Sequence, residues 1–226
     1  MIQLRVHQSE VTFGTALSPP VPALVDSPGK IASILVSHLD KFGVSLSDIT
    51  VDDGLLEDRG LSCEVQELEA SVLLRADRVE IRFSSIEDTE GEIASTVVQE
   101  IGRLVTVVSP DVIARSHSVL FEIDCEALRS TYRGVLEKFC QPPGSFPKDT
   151  ETAIVYYLPG DGEKGFLDSS LVLNRSAEVD GGVFREATLV FEGKALGLEG
   201  VIPAARARLT ELLKKLDVVL LQDGEK

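Results

Sequence analysis

Tryptophan is absent from the 226 residues, methionine occurs once, at the start, and aromatic residues make up only 5% of the chain. That scarcity speaks against a promiscuous apolar surface, which draws on aromatic and methionine side chains. Long apolar runs are missing too. Val105-Thr106-Val107-Val108 and Val218-Val219-Leu220-Leu221 are typical, whereas a membrane span needs about 20 mostly apolar residues. The opening Met1-Ile2-Gln3-Leu4-Arg5-Val6-His7 has no long apolar core or small-residue cleavage site of a secretory leader. A cytoplasmic protein without membrane contact is the expectation. Cys63, Cys125 and Cys140 form an odd, widely spaced set with no CxxC pair. They read as small buried hydrophobes rather than zinc ligands or a disulfide framework.

Basic charge is also in short supply. The 22 Lys and Arg face 37 Asp and Glu, for a formal net charge of −15. A duplex binder concentrates positive charge to release counterions, so direct nucleic-acid binding is disfavoured. Mimicry of nucleic acid fares little better, because Arg75, Arg78 and Arg82 interrupt the carboxylates.

Catalytic and cofactor motifs are lacking as well. Gly160-Asp161-Gly162-Glu163-Lys164-Gly165 is glycine-rich, but its Lys precedes the last Gly, no Ser or Thr follows, and two carboxylates would repel a phosphate. It reads as a hairpin turn. Neither a dinucleotide fingerprint between strand and helix nor a GxSxG elbow occurs. No cofactor, metal or catalytic residue is assigned. His38 falls on a helix stripe and reads as a packed, hydrogen-bonded core residue. His117 begins a strand, where Ser116 and Ser118 point to the opposite face and cannot couple to it.

What the chain does have is alternation and helical periodicity. Extended segments are expected at Ile2–Val6 and around Val11–Phe13, before Pro19, Pro20 and Pro22 break regular structure. Ser27-Pro28 opens a helix carrying Ile31, Leu35, His38 and Phe42, stopped by Gly43. An acidic loop with at most one short strand covers 44–61. A hairpin follows, with arms at 62–74 and 78–84; Val79, Ile81 and Phe83 face one way, Arg78, Glu80 and Arg82 the other. Asp88-Thr89 starts a long helix with Ile93, Val97, Ile101, Leu104, Val105 and Val108 as its stripe. A strand at 117–125 follows. The second half repeats the order: a helix over 126–140, a Pro-rich linker to Thr150, strands at 152–158, 166–175 and 182–192, a helix begun by Pro203, and a strand at 217–221. The fold class is therefore α+β, with mainly antiparallel sheet and long helices on one face. The chain divides into similar halves, 1–125 and 126–226, that share one sheet or form two.

The charge is uneven. Between Asp40 and Glu100 acidic residues outnumber basic ones by about three to one, while Arg206, Arg208, Lys214 and Lys215 gather on the last helix. Such asymmetry steers association with a partner of opposite sign. The loop carboxylates Asp52, Asp53, Glu57 and Asp58 lie outside the apolar periodicity and are the candidate contact residues. Their spacing does not match a calcium-loop pattern. The expected function is a non-catalytic protein-binding subunit or adaptor, acting through this acidic surface on a protein with a basic one; self-association is left open. One alternative is an enzyme whose site is assembled from the distant strand residues His117, Glu122, Asp124 and Arg185. Another is a chaperone or small-ligand carrier with a groove between sheet and helices.

Overall fold

Alternation of apolar and polar side chains builds most of the molecule. The computed structural model describes residues 2–54, 59–85, 87–89, 92–128, 134–135, 137–139, 153–161, 165–194 and 197–221. In Ile2–Ser18 (β1), buried Val11 and Phe13 alternate with half-buried Thr12 and Gly14. The two extended pieces expected here are one strand. It stays continuous because pairing skips His7, between Val6 and Gln8, in a local register shift.

After the short helix Ala23–Asp26 (α1), Pro28–Leu39 (α2) starts at Pro28 as expected. Ser27 stands at its N-cap, but its side chain makes no capping hydrogen bond. Its carbonyl instead accepts from the N–H groups of Lys30 and Ile31. Gly43, at φ +75°, closes the following turn in the left-handed region that glycine enters freely.

The loop contains one short strand, Ile49–Asp52 (β2). The first hairpin arm, expected as one piece over 62–74, is two strands, Gly60–Val65 (β3) and Ala70–Leu74 (β4). Between them the chain turns through Gln66–Leu68, with Glu69 in the left-handed region at φ +44°. Arg78–Phe83 (β5) completes a meander. Its Val79, Ile81 and Phe83 are buried, as the alternation predicts.

The long helix, Glu92–Val108 (α3), begins later than Asp88-Thr89, where a single 3-10 turn stands instead. Ala94, Val97, Val98, Ile101, Leu104 and Val105 are buried. Ile93, assigned to the stripe by spacing, is 53% exposed. Ile113–Ala127 (β6) is longer than expected and takes up the first residues of the helix foreseen over 126–140. Most of the rest of that helix, and the linker to Thr150, lie outside the described residues. Ile154–Asp161 (β7), Phe166–Arg175 (β8) and Val183–Glu192 (β9) form a second meander. Residues 162–164 of its first turn are outside the described set. In the second turn Gly181 adopts φ +66°.

Leu198–Lys215 (α4) starts five residues before Pro203, so the proline lies inside the helix rather than at its first position. Proline cannot donate to the carbonyl four residues earlier. That carbonyl, on Glu199, accepts from the hydroxyl of Ser95 at 3.2 Å. Val218–Leu221 (β10) ends the described chain.

Ten strands join one sheet in the order β2-β3-β4-β5-β1-β6-β9-β8-β7, with β10 beside the start of β1. The β1–β10 pair is parallel; the other described pairs are antiparallel. The long β1–β6 pair is central; one side carries the four-stranded meander β5-β4-β3-β2 and the other the three-stranded β9-β8-β7. The class is broadly α+β. Of the four α-helices given a range among the described residues, α1 and α2 are short, with 4 and 12 residues.

Candidate functional site

The sheet separates the four residues from which an enzyme site was conceivable. Along β6, Val119, Phe121, Ile123 and Cys125 are buried, and His117 lies on the same face. Glu122 and Asp124 therefore point to the opposite face. Arg185 sits opposite Ile123 and Leu173 and belongs with the buried side. The strand rise is about 3.4 Å per residue, so His117 and Arg185, six register positions apart, are also well separated.

Each of these residues has a local role or a local anomaly. His117 is 2% exposed. Its Nε2 lies 3.2 Å from the carbonyl of Gly193 and its Nδ1 2.9 Å from Thr15 Oγ1. A carbonyl only accepts, so Nε2 carries the proton and Nδ1 accepts from the Thr15 hydroxyl. Phe13 stacks on the ring at 5.8 Å. Burial lowers the His117 pKa from 6.5, against the Gly193 hydrogen bond, which raises it. Asp124 accepts from Ser176 Oγ, which in turn accepts from the backbone N–H of Glu178 and Val179. That is turn structure. Arg185 is 2% exposed, and among the described residues its Nε and both Nη atoms have no hydrogen-bond partner. Burial pulls its pKa down to about 10, and pushes the nearby Cys125 thiol up to about 11.

His38 is bonded, as its place on α2 suggested, but its partner was not foreseen. Its Nδ1 lies 3.0 Å from Glu100 on α3. Lys41 and Arg103 approach the same carboxylate at 3.0 and 2.9 Å. These cations, with the His38 hydrogen bond foremost, hold Glu100 down to about 2. The group ties α2 and the turn after it to α3.

Of the candidate contact residues, Asp52 and Asp53 are exposed, and Asp52 accepts from the N–H of Gly54 at 3.0 Å. Glu57 and Asp58 lie outside the described residues. Asp52 ends β2, the terminal strand of the sheet. Pairing Thr50 with half-buried Ser62, and Val51 with buried Leu61, puts Asp52 on the less buried face.

That face carries a feature absent from any single stretch of sequence. Glu10 on β1 pairs directly with Glu122 on β6, and Glu122 with Glu186 on β9. Three carboxylates thus stand side by side on adjacent strands, which lie about 4.8 Å apart. Burial, then the charges of Glu10 and Glu186, raise the Glu122 pKa above 4.5, while Arg82 opposes them. Arg82 Nε lies 2.9 Å from Glu10. Glu64, Glu80 and Asp168 extend the acidic character across β3, β5 and β8, with Arg78 engaged by Glu80 at 3.0 Å. Toward β7 the face turns apolar, with Val155 and the 84% exposed Tyr157. Glu122 was visible as a strand carboxylate. Glu10 and Glu186 were not, because nothing in the sequence gives the register between strands so far apart.

No helix among the described residues is long and apolar enough to cross a membrane. No protein-family model matches the chain, and no curated protein matches it in sequence.

Proposed function

We propose that the protein is a non-catalytic binding subunit that takes a basic protein partner on its acidic sheet face. In this reading α2, α3 and α4 form a layer over the buried face, and the opposite face is left for the partner. The Glu10–Glu122–Glu186 row carries the argument. Like charges directly opposite on neighbouring strands destabilise a sheet. A chain that lines up three of them gains when a cationic group settles across the row. Such a face repels a second copy of itself, so a basic partner fits it better than self-association through the same surface. Exposed Asp52 and Asp53 at the β2 end extend the negative field and steer the encounter, and Glu57 and Asp58 belong to the same proposed contact set. A reducing, cytoplasmic setting is part of the proposal and accords with Cys63 and Cys125 as free, buried thiols.

The test compares the wild type with a Glu10→Gln, Glu122→Gln, Glu186→Gln variant as bait in native extract. The proposal expects a basic protein to be retained by the wild type, released by salt as charges are screened, and lost from the variant. Identical capture by both baits would contradict it.

A further inference from the structure

A cavity of about 290 Å³ lies between β1, β5 and β6 on one side and α3 on the other. Its walls include Phe13, Leu17, Val79, Val98, Ile101 and Val105. Polar side chains reach it in one place inside, Thr15 and His117, and at its rim, Thr106. Gly102, Thr106 and Leu198 also line an outer groove with His38 and Arg103, which sets the mouth between α3 and the start of α4. A Cβ on Gly102 would meet the end of the Leu198 side chain, which would have to shift.

We infer that this cavity binds a small, uncharged, apolar molecule carrying one hydroxyl or N–H donor. Size comes first: an apolar cavity of roughly 150 Å³ holds a benzene, so this one has room for two fused rings. Charge is disfavoured, because among the described residues no ionised side chain lines the cavity to offset the desolvation of an ion. The donor follows from the hydrogen bonds already present. Both ring nitrogens of His117 are committed, Nε2–H to Gly193 and Nδ1 to the Thr15 hydroxyl proton. Among the described side chains inside, the remaining polar capacity is the acceptor lone pair of Thr15 Oγ1. Water fills such a space poorly, since a buried water needs two to four polar partners.

The probes are 2-naphthol and 2-methylnaphthalene, which share a shape and differ in the donor. Binding is read by saturable fluorescence change on the full chain. Thr15→Val should weaken 2-naphthol about fivefold, the usual worth of one hydrogen bond, and leave 2-methylnaphthalene within twofold. Thr15→Ser should restore the difference. Thr106→Phe, an exposed helix position at the mouth, should weaken both probes at least tenfold and keeps the test alive if Thr15→Val does not fold. Absence of saturable binding to the wild type, an equal effect of Thr15→Val on both probes, or indifference to Thr106→Phe would overturn the inference.

Discussion

The hydroxyl of Ser95 on α3 donates to the carbonyl of Glu199 on α4, the carbonyl that Pro203 leaves without its helical partner. A helix–helix contact thus compensates for an interior proline. Ser95→Ala should cost about 0.5–1 kcal/mol, the lower part of the range for one hydrogen bond, since the site is open to water. In a Pro203→Ala background, where the helix supplies its own donor, the cost should shrink toward zero. Urea melts of the four proteins give the coupling. An equal cost in both backgrounds would show that the two features are independent.

His117 should make stability fall in mild acid. Its folded pKa lies below the 6.5 of the free side chain. The folded protein therefore binds that proton less readily than the unfolded chain. The neutral ring's contribution is complete above about 6.5 and is lost as pH drops through the lowered value. His117→Phe keeps the stacking partner of Phe13 but removes the titration. Denaturant midpoints between pH 7.5 and 5 should decline less steeply in the variant. Matching slopes would place the acid sensitivity elsewhere.

Glu122 gives the opposite sign. Its pKa is raised in the fold, so its ionisation destabilises the protein as pH rises above about 4.5. Glu122→Gln should stabilise at pH 7 by roughly 0.2–1 kcal/mol, the scale of a like-charge pair across strands. The gain should vanish below pH 4. A variant less stable than wild type at pH 7 would mean that the carboxylate has a compensating partner.

Among the described residues Arg185 is the largest fully buried side chain, and its guanidinium has no hydrogen-bond partner there. Desolvation of such a group is costly, and apolar replacements of buried charge are often stabilising. Arg185→Met should therefore raise stability by ~1 kcal/mol or more in thermal melts. A loss of similar size would reveal an interaction that holds the charge.

Local patterns were legible where one element decides the outcome. Val79, Ile81 and Phe83 alternate and are buried; Ile101 and Leu104 follow the helical period and are buried. The strand at 166–175 was placed to the residue. Features that depend on partners were not legible. Pro203 reads as a helix start on local rules, and only the neighbouring Ser95 explains how α4 runs through it. Ile93 fits the α3 period yet is 53% exposed. Glu100 meets His38 and Lys41 because α2 and the turn after it pass beside α3, while Arg103 comes from its own helix. The acidic loop could be read from composition, whereas the row of Glu10, Glu122 and Glu186 exists only once β1, β6 and β9 lie side by side in register.

The central claim, a basic partner seated on the acidic sheet face, is tested most directly by carbodiimide footprinting of carboxylates in the free protein and in the complex recovered from native extract. The account predicts that labelling of Glu10, Glu122 and Glu186 falls at least severalfold in the complex, while Glu211 on α4 labels equally in both. Protection confined to α3 and α4, with the glutamate row labelled as in the free protein, would contradict it.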